Sequence, residues 1–106
     1  MRKEPLKTID EVTDIVDQSF VLRLFVTGAS PNSIRAINNM KQLCEIYIKG
    51  NYFLEIVDVY QQLELAQQEQ IVALPLLIKK LPLPERRLIG DMSDTKKVLK
   101  GLGLIA

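Results

Sequence analysis

The sequence predicts an α/β fold whose N-terminal half is a βαβ unit, and three observations predict it. Phe20 to Val26 is an apolar run broken only by Arg23, which reads as a strand. Ser30-Pro31 then opens a long helical stretch, with Ser30 suited to the N-cap and Pro31 to the first helical position. Tyr52 to Val59 is a second apolar run. A strand, a helix of that length and a strand make a crossover, which is right-handed and joins parallel strands.

The elements follow in order. Residues 1–19 are polar and charged and form an N-terminal extension ahead of a domain over 20–106. Thr8-Ile9-Asp10-Glu11 fits a capping box, and Ile9, Val12 and Val16 recur at helical spacing, so a short, weak helix is expected here, with a docking arm as its functional alternative. The strand over 20–26 is expected to be covered on both faces. The helix is expected from Pro31 to Lys49, with Ile34, Ile37, Met40, Leu43, Cys44 and Tyr47 as its apolar stripe and Gly50 just past its end. Cys44 on that stripe reads as a small buried hydrophobe.

Beyond Gln61 the pattern blurs. Gln61 to Gln70 favours helix. Ile71 to Ile78 is apolar but split by Pro75, and periodicity does not choose between strand and buried helix. Lys79 to Glu85 reads as a turn or short linker punctuated by Pro82 and Pro84, and Arg86 to Ile89 as an edge strand. Asp94 to Leu104 carries Val98, Leu99 and Leu102 at helical spacing, yet Gly101 and Gly103 interrupt it. Each glycine costs a helix roughly 1 kcal/mol relative to alanine, so a strand remains open for this stretch.

Composition bounds the function. At 106 residues, 47% hydrophobic and 25% charged, the chain is of one-domain size with an ordinary globular balance. Its core is modest, so oligomerisation would help it. A net charge of +1 argues against general nucleic-acid affinity. The charge is uneven: residues 1–70 hold seven Lys/Arg and ten Asp/Glu (net −3), and residues 71–106 hold seven and three (net +4). The C-terminal half is therefore the side to meet an acidic partner. With no histidine and one cysteine, the commonest general base and metal ligand is missing and an intramolecular disulfide is impossible. No phosphate loop, dinucleotide fingerprint or metal-ligand cluster is present, and no cofactor is expected. Without a signal peptide or an apolar stretch of about 20 residues, a cytoplasmic protein with no membrane contact is expected.

The strand, turn and helix over Val21 to Ser33 resemble the opening of a thioredoxin, where a C-x-P-C motif would sit. The matching residues here are Ala29-Ser30-Pro31-Asn32, so no thiolate stands at the helix N-terminus. More specifically, Gly28-Ala29-Ser30-Pro31-Asn32-Ser33-Ile34-Arg35-Ala36, Glu55-Ile56-Val57-Asp58-Val59, Ala73-Leu74-Pro75-Leu76-Leu77 and Leu81-Pro82-Leu83-Pro84-Glu85-Arg86-Arg87-Leu88-Ile89-Gly90-Asp91-Met92-Ser93 resemble the KaiB family of bacterial clock proteins. The chain departs from that pattern at Leu74, where the family has threonine, and at Leu83, inside the family's run of three prolines.

The resemblance implies a non-enzymatic binding protein. Its partner would be a KaiC-type ring ATPase, its neighbours a sensor histidine kinase pathway, and its setting a clock or a stress response. It also implies two folds: a thioredoxin-like βαβαββα arrangement, and a ground state, βαββααβ, that assembles into dimers or tetramers and is the form expected for the free protein. Pro75, Pro82, Pro84, Gly101 and Gly103 are the residues expected to bear on that exchange, with a cis peptide bond at Pro75. The basic residues Lys79, Lys80, Arg86 and Arg87 are the expected partner-binding group, brought together by a hairpin through Pro82 and Pro84. Two other readings remain: a detached thioredoxin-like sensor module of a histidine kinase, and a degenerate thioredoxin-fold protein acting through Cys44.

Overall fold

The computed structural model describes residues 19–106; the expected helix in the N-terminal extension lies outside the described residues. The elements are β1 (Phe20–Val26), α1 (Pro31–Tyr47), β2 (Tyr52–Asp58), α2 (Leu63–Gln68), β3 (Leu76–Leu81), β4 (Arg86–Ile89) and α3 (Thr95–Leu102). This is the thioredoxin-like βαβαββα arrangement. The four strands lie in the order β2-β1-β3-β4. As the crossover rule requires, β1 and β2 are parallel, with Leu24 opposite Ile56. β3 runs antiparallel to β1 and β4 antiparallel to β3.

Successive strand residues point to opposite faces, so each face has its own core. On one face Leu22, Leu24, Val26 and Leu77 pack against Ala36, Met40, Leu43 and Cys44 of α1 and Val98, Leu99 and Leu102 of α3. On the other, Phe25, Val57, Leu76 and Ile78 lie under Leu65, Ala66, Ile71 and Leu74. The second cover is short. β1 is buried on both faces only from Leu24 to Val26; Val21 and Arg23 stay partly open, which narrows the expectation of a strand covered throughout.

α1 starts where the sequence places it and stops two residues early, at Tyr47. The Ile48 N–H still bonds the Cys44 carbonyl, but Ile48 has left helical geometry. The buried side of α1 is also rotated from the expected stripe: Ser33 and Ala36 are buried, whereas Ile34 and Tyr47 are half exposed. Ser33 faces inward because its hydroxyl belongs to the turn described below.

The blurred half resolves into regular elements. Ile71 to Ile78 divides at Pro75 into a connector and β3. Asp94 to Leu104 is helical through Leu102, its N-terminus capped by the Asp94 side chain, which accepts from the Lys97 N–H at 3.2 Å.

Candidate functional site

The turn between β1 and α1 is built on hydroxyls. Ser30 caps the helix, accepting from the Ser33 N–H at 3.3 Å, and its hydroxyl lies 2.8 Å from that of Ser33. Ser33 Oγ accepts from the Thr27 N–H at 3.1 Å. The lone thiol lies elsewhere, at Cys44 in the middle of α1, fully buried. Burial, and secondarily the neighbouring Glu45 charge, push that thiol up to about 11, so at neutral pH it stays protonated and unreactive. The position of Cys44 gives no support to a thiol mechanism.

The four basic residues do not form one group. Lys79 and Lys80 are consecutive on β3, so the pleat sends them to opposite sides. The β3–β4 register puts Arg86 opposite Lys79 and Arg87 opposite Ile78. The hairpin therefore makes two pairs, Lys79 with Arg86 and Lys80 with Arg87, separated by the sheet.

Lys80 and Arg87 share a partner that the sequence does not single out. Glu69, just past α2, receives the Lys80 ammonium at 2.7 Å, the Arg23 guanidinium at 3.4 Å and that of Arg87 at 3.5 Å. Arg87 Nη2 also donates to the Glu69 carbonyl at 2.6 Å. Arg23 is further held by Glu55 at 3.0 Å, and Lys80 by Glu85 at 3.6 Å. Glu69 has no local signature that sets it apart from Glu64. Only the return of the chain onto β3 brings it among three cations.

Lys79 corrects the expectation most sharply. It is 5% exposed, too deep to be a docking residue. Burial, and then the nearby Arg86 charge, lower the pKa of its ammonium. Its Nζ lies against Gly103 at the C-terminal end of α3, the end of a helix that favours positive charge. Arg86 is exposed and has no ion pair among the described residues. It is the cation of the four that is open to a partner.

The bonds preceding Pro75, Pro82 and Pro84 are all cis. Pro75 is buried at the mouth of β3, and its carbonyl accepts from the Gly90 N–H at 3.0 Å. The two glycines of α3 play roles that propensity hides. Gly103 is not inside the helix. It follows the last helical residue at φ 79°, its N–H bonded to the Lys100 carbonyl while the Leu104 N–H bonds that of Leu99, which is a Schellman ending. Gly101 is within the helix, but a Cβ there would stand 2.6 Å from Leu88 Cδ1 and 3.0 Å from Leu88 Cγ. Its missing side chain lets α3 close on β4. The expectation that these glycines weigh against a C-terminal helix is therefore reversed.

At the other end of α3, Asp91 joins the connector to α1. Its carboxylate takes Arg35 at 3.2 Å and the Ser93 N–H at 3.0 Å, and its carbonyl takes the Asn39 amide. Hydrogen bonds from Ser93, and next the Arg35 charge, hold this carboxyl below its usual range. Among the described residues, no group of acidic, cysteine or histidine side chains could hold a metal, and no helix is long and apolar enough to cross a membrane.

Residues 23–104 match the KaiB domain family. The chain belongs to the KaiB family. It is 46% identical over 91 residues to the circadian clock oscillator protein KaiB of Prochlorococcus marinus subsp. pastoris, covering 86% of this chain and 85% of that protein. It is likewise 46% identical over 88 residues to that of Synechococcus elongatus, covering 83% and 86%. Among solved structures, the N-terminal domain of Synechococcus elongatus SasA superposes with a TM-score of 0.67 at 22% identity, over 95% of this chain and 91% of that one. The thioredoxin Deadhead of Drosophila melanogaster gives 0.67 at 13%, over 92% and 90%. These two likenesses establish the thioredoxin-like fold.

Proposed function

We propose that this chain is a KaiB-type regulatory binding protein that docks on a KaiC-type ring ATPase, in clock or stress-response signalling. The observation that carries the reading is the KaiB match over residues 23–104, supported by relatives named as circadian clock oscillator proteins. In this reading the chain works by contact rather than chemistry, and the thioredoxin-like arrangement is the docking form. Arg86 leads the contact with an acidic surface, Lys80 and Arg87 assist it, and Lys79 is too deeply buried to join it. Exchange with an oligomeric ground state would redraw the chain from Pro75 onward, with Pro82, Pro84, Gly101 and Gly103 in the rearranged half. The test is co-migration with the KaiC-type ATPase of the same genome in size-exclusion chromatography, with and without ATP. A complex supports the reading. Two independent elution peaks at concentrations on the order of 100 μM, where even modest protein–protein contacts form, would remove it.

A further inference from the structure

The positive charge of the C-terminal half collects on one side of the molecule. Residues 71–106 hold seven cations and three carboxylates. Lys80 and Arg87 are answered by Glu69, and Lys79 is buried. The three carboxylates are engaged as well: Glu85 faces Lys80, Asp91 faces Arg35, and Asp94 caps α3. Arg86, Lys96, Lys97 and Lys100 are left, all exposed and without an ion pair among the described residues. Arg86 lies directly opposite Lys79 and so shares its face of the sheet, and Lys79 reaches Gly103 at the end of α3. The four open cations are therefore on the side that α3 covers.

The three lysines of α3 stand where local physics disfavours them. Lys96 and Lys97 are in its first turn, the end at which the helix dipole repels cations. Lys100 follows them by four residues and by three, spacings at which like charges repel on a helix surface. Val98, Leu99 and Leu102 turn the other side of the helix into the core, so the lysines make one compact cationic face. Thr95, the residue before Lys96, also lines a groove between the end of α1 and the start of α3, together with Gln42, Ile46, Tyr47 and Ser93. Ile46 is 71% exposed and Tyr47 49%, which puts two large apolar side chains beside the cations.

These features select the occupant. The apolar side of α3 faces the core, so it has nothing to insert into a bilayer beneath its lysines. The net −3 of residues 1–70 repels a long polyanion such as nucleic acid. A short acidic stretch of protein carrying an apolar side chain matches both the cations and the groove. We propose that α3 and this groove form a docking site for such a segment, with Lys96, Lys97 and Lys100 receiving its carboxylates and Ile46 and Tyr47 its apolar side chain. Given the function proposed above, on which this inference rests, the segment belongs to the KaiC-type ATPase.

Titration calorimetry of the full-length chain against the KaiC-type ATPase of the same genome tests this. Lys96→Gln/Lys97→Gln/Lys100→Gln, at exposed positions outside the core, should weaken binding at least about tenfold at about 50 mM salt, and by less at about 300 mM. Ile46→Ser should weaken it about fivefold at both, because an apolar contact is not screened. Unmoved amide resonances of Leu24 and Leu77 show that the variants keep the fold. Parent-like binding by the triple variant overturns the docking site and leaves the proposed function standing, whereas no binding by the parent removes both. Parent-like binding by Ile46→Ser overturns the part given to the groove. If the three lysines instead govern binding to phosphatidylserine vesicles or to a single-stranded oligonucleotide, with affinity for the ATPase unmoved, the occupant is a membrane or a nucleic acid and the assignment to an acidic protein segment is overturned.

Discussion

Replacing Gly101 or Gly103 with alanine separates local propensity from tertiary structure, because the two predict opposite signs. By propensity each alanine adds about 1 kcal/mol to α3, so the double variant should gain roughly 2 kcal/mol and favour the thioredoxin-like arrangement. The structure gives the reverse. At Gly103 the backbone stands at φ 79°, where a Cβ costs about 1–2 kcal/mol, and the position lies past the helix, so there is no propensity gain to set against it. At Gly101 the new methyl would meet Leu88 at 2.6 to 3.0 Å. The clash includes Leu88 Cγ, so the side chain must move as a whole. Overpacking of this kind costs about 1–3 kcal/mol, which meets or exceeds the propensity gain. Together the substitutions should destabilise the thioredoxin-like arrangement by roughly 2 kcal/mol, leaving the two arguments about 4 kcal/mol apart. Urea unfolding of each single variant decides between them. A Leu88→Ala partner provides an internal check: it opens the space that a Gly101 methyl needs, so Gly101→Ala should cost less in that background. If both single variants are more stable than the parent by about 1 kcal/mol each, the reasoning from Leu88 and from the left-handed ending is refuted.

Other outcomes follow from the same structure. Glu69→Gln should lower stability by about 1 kcal/mol, because three cations lose a shared counter-charge in a partly solvated setting; unchanged urea unfolding would show that Arg23, Lys80 and Arg87 do not depend on it. Lys79→Met should be neutral or stabilising in the same assay, since it removes a buried ammonium with no anionic partner among the described residues, and a loss beyond about 2 kcal/mol would mean that the ammonium makes a contact the fold requires. Cys44 gives a pH dependence. Its folded value of about 11 lies above the ordinary 9.0, so the folded state holds the thiol proton more tightly than the unfolded chain. That contribution is full below pH 9 and is lost as pH rises through 11, by about 3 kcal/mol at most. Chemical unfolding at pH 8, 9, 10 and 11 should show Cys44→Ala losing less stability than the parent over that range, and parallel curves would refute the assignment.

The N-terminal half was legible because its signals are local. Ser30 and Pro31 mark a helix start by their own chemistry, and two apolar runs around one helix leave a single handedness and direction. The C-terminal half was not, for reasons particular residues make clear. Gly101 reads as a helix breaker until Leu88 is seen above it, and Gly103 until the helix is seen to end before it. The splitting of the basic group was readable in principle: once Leu76 to Leu81 is a strand, Lys79 and Lys80 must face opposite ways. Reading the four charges as one cluster treated adjacency in sequence as adjacency in space. Glu69 could not have been found this way, since its role depends on a connector whose path no local pattern dictates.

In the proposed function, the thioredoxin-like form docks on a KaiC-type ring ATPase with Arg86 as its open cation. Titration calorimetry of the full-length chain against that ATPase, with Arg86→Glu and Lys79→Met compared at two salt concentrations, tests it most directly. The parent should bind, Arg86→Glu should weaken binding about tenfold or more by a margin that shrinks as salt screens the contact, and Lys79→Met should keep parent-like affinity. Equal affinity for the parent and Arg86→Glu at low salt, or no heat of binding for the parent, would contradict it.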